Sequence, residues 1–470
     1  MNLYDESKPS SIEEYAKKAV GKSFIELLDD EKNYDYFNSL LNTGKGSLGN
    51  FVEKYFFKYE INSSQQPDFP KAGVELKVAP YIINKNGTIS AKERLIITLI
   101  NYLEVIQETF ENSHLYGKIK KILLMEYLFE KNKNKADFKI KYAGLFEIPY
   151  NDLLIIKQDF EYIINKIKQG LAHELSEADT LYLGAAPKGK DSSSLREQPY
   201  SPIKALQRAF CLKQSYMTYI LRNYIFKQEN PSLDENILKT NQLDVPFEEY
   251  IKNKILQYKG KTTKELSQMF NIRCNDNKNF VSYLCFKILG IKNNKASEFE
   301  KANIAIKTIR LENNNTIEQS MSFKNFKFTE VVKENVWEES ELYELWGKTK
   351  YLFIIFKTND DKKDKNKEYF LYDCQLWNMP AADLNNYAKK MWTELKKTIN
   401  DGIKTYKEGN RVFNNLPKKK DNKVCHIRPK GADSSCKYSL PNGGEFTKQC
   451  YWLNNDYILN QLNCINCAKN

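Results

Sequence analysis

Two acidic residues and a lysine stand at a spacing that suits metal-dependent hydrolysis of phosphodiester bonds. Asp68 precedes Glu75 by seven residues and Lys77 by nine, within the segment PDFPKAGVELKV. Carboxylate and water oxygens are the ligands that a hard cation such as Mg²⁺ prefers. The ion would polarise the scissile phosphate and help to generate hydroxide from water. Lys77 would orient that water or neutralise the charge that develops on the phosphate.

A short strand is predicted to position these residues. Residues 74–78 alternate apolar and charged side chains, which is the period of a strand with one buried face. Glu75 and Lys77 would then point to the same side, about 7 Å apart along the strand. The turn-forming PDFP segment would return Asp68 to the side of Glu75. A half-exposed strand with ordinary surface charges has the same pattern, so the triplet alone does not distinguish a metal site from surface charges.

Two further charged residues are candidates for the same site. Glu53 lies in GSLGNFVEKYFF, which is predicted to be an amphipathic helix, and could position Lys77 or a second metal ion. Lys118 comes just before the apolar strand segment ILLM and could add a cation near the phosphate. The alternative for each residue is a solvated charge on the surface of its element.

The sequence resembles the MutH-like family of GATC-specific endonucleases, which includes the mismatch-repair nickase MutH and a two-domain branch of type II restriction enzymes. The matching blocks are GKGSLGNFVE, DFPKAGVELKVAP, SHLYGKIKK, GLAHELSEADTLYLGAAPKGKDSSSLR and QRAFCLKQSYMTYILRNY. The resemblance implies a catalytic core of Asp68, Glu75 and Lys77, with the two acids as metal ligands. It implies supporting roles for Glu53 and Lys118. It also implies dependence on Mg²⁺, products with 5′-phosphate ends, and double-stranded DNA containing GATC as the partner.

One departure from the family pattern concerns methylation. Cys211 stands where MutH has the tyrosine that senses adenine methylation, and the smaller side chain cannot make the same contact. This departure and the chain length favour the restriction branch, in which a companion adenine methyltransferase is expected to protect the host. Two alternatives stay open. One is a nickase of the MutH kind, which would nick hemimethylated DNA, and the other is a non-catalytic DNA-binding regulator.

An internal repeat indicates two domains. Four short blocks of residues 68–216 recur in the same order in residues 298–457, at offsets from 230 (298 − 68) to 242 (429 − 187). We therefore predict a duplicated domain. The predicted boundaries are a catalytic domain at 1–227, a polar, proline-punctuated linker at 228–246 and a second domain at 247–470.

The second copy lacks the acidic pair. Glu298 occupies the position of Asp68, and Ala305 that of Glu75. One carboxylate beside a lysine is a poor cation site, yet residues 418–448 hold eight Lys and Arg against three acids. We predict a catalytically degenerate domain that binds DNA. It could bind a second GATC site, activate cleavage or support homodimerisation on DNA. The alternative is a domain that only supports the fold.

Basic loops in both copies are predicted to contact DNA. The loop 184–196 combines Gly, Pro, Ser and basic residues, so it can approach a groove closely. The resemblance places recognition in this loop and in residues 207–213. The candidates for contacts with bases or phosphates are Lys188, Lys190, Arg196, Arg208 and Lys213 in the first copy, and Arg428 and Lys430 in the second. A surface charge is the alternative for each.

The composition is consistent with a DNA-binding protein and does not indicate a membrane-spanning or disulfide-rich one. The net charge of +12, from 72 Lys and Arg against 60 Asp and Glu, is consistent with a polyanionic partner. The longest apolar runs, such as 351–356, are too short to span a bilayer, and no secretory signal is visible at the start. Nine scattered cysteines fit a reducing cytoplasm. Free thiols are favoured over zinc for the carboxyl-terminal cysteines, because Cys464-x-x-Cys467 has no partner pair.

The predicted fold class is α/β of the α+β kind. Strands are predicted at 72–80, 94–101, 121–129 and 138–148, and helices at 11–28, 150–172 and 215–226. A small central mixed sheet flanked by helices is the natural packing for such elements. It agrees with the resemblance, which implies two tandem domains of the restriction-endonuclease type.

Overall fold

A computed structural model describes most of the chain. The described residues are 3–28, 47–60, 65–189, 193–228, 236–238, 245–272, 280–292, 296–361, 367–409, 411–431 and 435–463. The chain divides into two units, the first comprising Met1–Asp234, Leu238–Pro246 and Glu300–Ala302, and the second comprising Glu235–Ile237, Phe247–Phe299 and Asn303–Asn470.

The described part of unit one contains five α-helices and nine strands. The helices are α1 (Pro9–Lys17), α2 (Ser47–Phe51), α3 (His114–Ile119), α4 (Tyr150–Lys168) and α5 (Gln214–Ile220). The strands are β1 (Glu75–Ile83), β2 (Ile89–Ala91), β3 (Leu95–Leu99), β4 (Ile122–Leu128), β5 (Ile140–Phe146), β6 (Leu183–Pro187), β7 (Leu195–Gln198), β8 (Ser201–Leu206) and β9 (Arg208–Leu212). Helices α2 and α5 each continue into one π-helical turn, at Val52–Phe56 and Leu221–Ile225.

The first sheet of unit one carries the acidic triplet at the start of a central strand. Its strand order is β2-β1-β4-β5. Strand β1 runs parallel to β4, with Glu75 opposite Ile122, whereas β2 and β5 are antiparallel to their neighbours. Strand β1 begins later than the predicted residue 72, because the chain turns at Gly73, whose φ of +63° suits glycine.

A second sheet of unit one joins segments that are distant in sequence. Strand β9 lies between β3 and β6 and is antiparallel to both. The hairpin β7-β8 comes between β6 and β9 along the chain. Helix α4 buries one apolar face, as its helical spacing predicts. The buried side chains of that face include Ile156, Phe160, Ile163 and Ile167.

The amino-terminal helix is shorter than predicted. We expected a helix over residues 11–28, but α1 ends at Lys17. Gly21 takes a left-handed φ of +89°, and its backbone N–H donates to the carbonyl of Ile140, 2.8 Å away. A residue in this conformation ends a helix. The apolar residues beyond it form only a 3₁₀ turn, at Ile25–Leu27.

Unit two has nine α-helices and ten strands among its described residues. The helices are α6 (Phe247–Leu256), α7 (Thr263–Met269), α8 (Phe280–Leu289), α9 (Ser297–Ala302), α10 (Phe328–Val331), α11 (Glu341–Tyr343), α12 (Ala381–Asp383), α13 (Lys389–Asn400) and α14 (Asn455–Asn460). The strands are β10 (Ile304–Leu311), β11 (Met321–Phe326), β12 (Lys350–Lys357), β13 (Phe370–Trp377), β14 (Thr405–Glu408), β15 (Arg411–Asn414), β16 (Cys425–Pro429), β17 (Lys437–Ser439), β18 (Glu445–Thr447) and β19 (Gln449–Leu453). The last three residues of α9 cluster with unit one.

The two units share part of their strand order. In unit two, β10 is parallel to β12 and β12 is antiparallel to β13, which is the pattern of β1, β4 and β5. Ala305 lies opposite Tyr351, as Glu75 lies opposite Ile122. The second sheet, β11-β19-β16, likewise corresponds to β3-β9-β6. Three of the four repeated blocks include residues of β1 and β10, β6 and β16, or β9 and β19. The block at 115–120 and 345–350 lies mainly in the helical turns before β4 and β12. The duplication stays a prediction.

The predicted fold class is confirmed, since each unit is built on small sheets flanked by helices. Each unit also has an apolar core, centred on Phe51, Phe69 and Met125 in unit one and on Trp346, Phe353 and Tyr451 in unit two. The boundaries 1–227, 228–246 and 247–470 stay predictions. No helix in the described ranges is long and apolar enough to cross a membrane.

Candidate active site

A tight turn brings the two acids together. The backbone of Phe69 pairs with that of Val74, which closes the turn before β1. The Leu76 N–H donates to Asp68 Oδ2 at 2.8 Å, and the Asp68 N–H donates to Glu75 Oε2 at 3.3 Å. These bonds place the two carboxyl groups side by side at the start of β1, as the PDFP segment led us to expect.

Two lysines hold the carboxylate of Glu75. Lys77 Nζ lies 2.7 Å from Glu75 Oε1, and Lys118 Nζ lies 3.1 Å from both of its oxygens. Lys118 comes from the last turn of α3, whose first turn is capped by the Ser113 hydroxyl. Glu75 is 1% exposed and Lys118 is 6% exposed. Because a buried charge without a partner is strongly destabilising, these ion pairs fix the geometry of the site.

Glu53 joins the site from the π-helical turn that follows α2. The pKa of the Glu53 carboxyl is raised to about 7, first by burial and then by the negative charge of Asp68. The pKa of Asp68 is raised to about 6, again first by burial and then by the charge of Glu75. Like charges that meet in a shielded place disfavour ionisation. The three carboxyl groups therefore form a cluster of negative charge that a cation would stabilise.

The residues present fit a divalent cation. Among the described residues no three His, Cys, Asp or Glu side chains are arranged to hold an ion by themselves. Asp68 and Glu75 supply two carboxylates, and hard cations at phosphate-transfer sites commonly complete their shell with water and phosphate oxygens. A bound cation would also favour the ionised forms of Asp68 and Glu53, whose pKa values are raised.

Three of the predicted DNA contacts lie at one end of the second sheet and its hairpin. Lys188 directly follows β6 and is exposed, and Arg208 lies opposite Pro187, the last residue of that strand. Arg208 is half-buried, and its Nη1 donates to the Ala185 carbonyl at 2.7 Å. Arg196 is exposed on β7. Lys190 lies outside the described residues.

Lys213 lies inside unit one. It is 7% exposed, and its ammonium group donates to the backbone carbonyl of Thr180. Burial raises the pKa of Asp159 to about 6, and the positive charge of Lys213 opposes part of this rise. A DNA contact by Lys213 would require this ammonium to leave the interior. The predicted DNA contact by Lys213 is therefore not supported.

Unit two keeps the lysine of the site and replaces the acids. Ala305 follows the first residue of β10, and Lys307 Nζ donates to the Ser322 carbonyl at 3.0 Å. Burial, followed by the charge of Lys430, lowers the pKa of Lys307 to about 8. Glu298 is buried and accepts from the Ile237 N–H at 3.0 Å, so it does not stand in for Asp68.

A pocket occupies this position in unit two. It has a volume of about 490 Å³, and its lining includes two basic residues, Lys307 and Arg310, and two acids, Glu312 and Glu318. Lys430 Nζ donates to the carbonyl of Phe323, the residue after Ser322, at 2.6 Å. Arg428 is exposed, and its guanidinium lies 5.4 Å from the centre of the Trp452 ring.

The cysteines of the described residues are free thiols. Cys425 and Cys450 are buried, and Cys436 is half-buried. Cys464 and Cys467, considered as half of a zinc site, lie outside the described residues. The sequence offered no signal for Tyr59, whose hydroxyl lies near the three acids.

The chain is similar to mismatch repair proteins and to a restriction enzyme. The family model of the DNA mismatch repair enzyme MutH matches residues 57–159, which include Asp68, Glu75, Lys77 and Lys118. The chain is 35% identical to the type II restriction enzyme Sau3AI of Staphylococcus aureus, over 96% of this chain and 98% of that protein. It is 27% identical to the DNA mismatch repair protein MutH of Vibrio vulnificus, over 44% of this chain and 90% of that protein. The value for MutH of Vibrio campbellii is also 27%, over 47% of this chain and 96% of that protein.

Proposed function

The chain belongs to the MutH-like family of type II restriction endonucleases, and from this premise we propose that it cuts double-stranded DNA at GATC with Mg²⁺. Unit one would carry the single active site, in a catalytic domain of residues 1–227. The observation that carries the proposal is the joining of Asp68 and Glu75 through two backbone hydrogen bonds, with Lys77 and Lys118 on Glu75.

The side chains of this site suit hydrolysis of a phosphodiester. Asp68 and Glu75 would hold Mg²⁺, which when bound polarises the phosphate and lowers the pKa of water. Lys77 and Lys118 lie on Glu75 and would stabilise the charge that develops on the phosphate oxygens. Glu53 would keep Lys77 in place. Attack of water at phosphorus breaks the bond to the 3′ oxygen, which takes up a proton, and leaves a 5′-phosphate.

Recognition of GATC rests on the resemblance in the loop 184–196 and in residues 207–213. Lys188, Arg196 and Arg208 lie near one end of the second sheet, which supports their role as contacts to bases or phosphates. Cys211 is buried and its thiol lies 3.5 Å from the Gly184 carbonyl, so it would not read a methyl group as a tyrosine does. A companion adenine methyltransferase would then protect the host, and the free thiols fit a cytoplasmic enzyme.

The second domain, at residues 247–470 beyond a linker at 228–246, is proposed to bind DNA without cutting it. Lys307 and Lys430 donate to the carbonyls of consecutive residues, and the described residues offer neither lysine a carboxylate partner. A phosphate would satisfy both ammonium groups. With one active site per chain, a double-strand break needs two chains on the DNA or two successive nicks.

Cleavage of a plasmid tests the proposal. Unmethylated plasmid with known GATC sites is incubated with the full chain, with and without Mg²⁺, beside Glu75→Gln and Glu147→Ala. Glu147 is a matched control, because it directly follows strand β5 of the same sheet but its side chain is 66% exposed. We expect GATC fragments that require Mg²⁺, a rate about a thousandfold lower in Glu75→Gln, and unchanged cleavage in Glu147→Ala.

Other outcomes would separate the alternatives. Nicked circles alone, with a preference for hemimethylated DNA, would point to a nickase. DNA binding without cleavage would leave a non-catalytic regulator. Fragments with other ends would overturn the GATC assignment while keeping the active site.

A further inference from the structure

Tyr59 is held beside the active site by its backbone and its ring. Its N–H donates to the Glu53 carbonyl at 3.2 Å, after Lys58 takes a left-handed φ of 59°. Its ring lies edge-on against that of Phe69, with 5.4 Å between ring centres. Phe69 directly follows Asp68 in the chain. The phenol is therefore fixed between the helix that carries Glu53 and the turn that carries Asp68.

The Tyr59 hydroxyl is a buried donor without an acceptor in the described part of the chain. The oxygen is shielded from solvent, and no described group lies within hydrogen-bonding distance. Burial, followed by the charges of Asp68, Glu53 and Glu75, raises the pKa of the phenol. The hydroxyl is thus neutral and close to three carboxyl groups. Buried polar groups that lack a protein partner commonly bind water or an ion's hydration shell.

We propose that the Tyr59 hydroxyl is a positioning group of the active site, which donates a hydrogen bond to water held among Glu53, Asp68 and Glu75 when a divalent cation is bound. The inference rests on the proposed metal site. Its consequence is that the hydroxyl contributes to cation affinity and to turnover, whereas it contributes little to folding.

A neighbouring tyrosine provides the contrast. Tyr4 packs in the same aromatic cluster, with 5.9 Å between its ring centre and that of Phe69. Its hydroxyl, however, donates to the Phe57 carbonyl at 2.9 Å. Loss of that hydroxyl removes a hydrogen bond of the folded protein and should leave the cation unaffected. Tyr59→Phe and Tyr4→Phe therefore delete the same atom with opposite consequences.

Cation binding and cleavage by the full chain test the inference. Mn²⁺ binding to the DNA-free protein is measured by electron paramagnetic resonance, because Mn²⁺ prefers the same oxygen ligands as Mg²⁺. In Tyr59→Phe we expect the Mn²⁺ dissociation constant to rise and kcat to fall, each by about tenfold, with KM for DNA unchanged and the melting temperature of the metal-free protein unchanged or higher. In Tyr4→Phe we expect a lower melting temperature, with unchanged Mn²⁺ binding and kcat.

The outcomes distinguish the role of Tyr59 from the proposed function of the protein. A wild type that binds Mn²⁺ and cuts DNA, with a Tyr59→Phe variant that matches it in both, would overturn the role of Tyr59 alone. Equal losses in Tyr59→Phe and Tyr4→Phe would also overturn it, because they would indicate a general effect of the aromatic cluster. A wild type that neither binds the ion nor cuts would overturn the proposed function, and this inference with it.

Discussion

Glu126 is a buried acid whose removal should stabilise the protein. It lies on β4 opposite Ala79 of β1, on the same face of the sheet as Glu75 and Lys77. It is 1% exposed, and no described group bonds to either of its carboxyl oxygens. Burial alone raises its pKa from 4.5 to about 8. A carboxyl group in such a place is neutral when the protein is folded at neutral pH.

The cost of this arrangement follows from the two pKa values. Below the unfolded pKa of 4.5 the group is protonated in both states, so it does not oppose folding. Above it the unfolded chain releases a proton that the folded chain keeps, and each pH unit lowers the free energy of unfolding by about 1.4 kcal/mol. The loss amounts to about 3 kcal/mol at pH 7 and stops growing above the folded pKa of about 8.

Glu126→Gln removes the titration and keeps the volume. We expect the variant to be more stable than the wild type by about 3 kcal/mol at pH 7, and by less than about 1 kcal/mol at pH 5. Denaturant unfolding of the full chain at several pH values, followed through the transition of unit one, measures the difference. Glu93→Gln is the matched control, since Glu93 is exposed and should show no change with pH. A stability difference that is constant from pH 5 to pH 8 would refute the argument.

Three lysines give two opposite expectations, one for DNA binding and one for stability. The double variant Lys307→Met and Lys430→Met should bind a second duplex more weakly than a cleavage-deficient chain that keeps both lysines. The slope of log K against log salt concentration should become shallower by about one unit per lost phosphate contact. An unchanged slope, measured by fluorescence anisotropy, would contradict this role. Lys213→Met should instead lower the free energy of unfolding, measured with denaturant, by about 2 kcal/mol, because Thr180 and Asp159 lose a buried cation. A fall in DNA affinity with unchanged stability would indicate that Lys213 contacts DNA.

The local signals of the sequence predicted that Asp68, Glu75 and Lys77 lie together. The alternation around Glu75 predicts a strand, the PDFP segment predicts a turn, and together they bring Asp68 to Glu75 as the structure shows. Lys118, which is 43 residues from Glu75, was a candidate from its place before the apolar strand, and the family resemblance implied its supporting role. Tyr59 carries no such pattern, because its relevance depends on a turn at Lys58 and on packing against Phe69.

Burial of charged groups could not be predicted from the sequence. Lys213 follows the strand β9 and resembles any basic residue at the end of a strand, but its neighbours Thr180 and Asp159 come from distant segments. Glu126 interrupts an apolar strand in the same way as a solvent-facing acid would. The depth of such residues depends on which elements cover the sheet, and this is a property of the tertiary structure and not of the pattern.

The two units differ in how they balance the charge of the lysines at this position. In unit one, Lys77 and Lys118 are balanced by Glu75, so removal of that acid leaves two cations in a shielded place. In unit two, Ala305 replaces the acid, and Lys307 is satisfied by the Ser322 carbonyl. A carbonyl neutralises no charge, and burial lowers the pKa of Lys307 accordingly. Lys307, which lacks the neighbouring acid that Lys77 has, favours an anion, whereas Asp68 and Glu75 favour a cation. This contrast supports our proposal that the second unit binds DNA without cutting it.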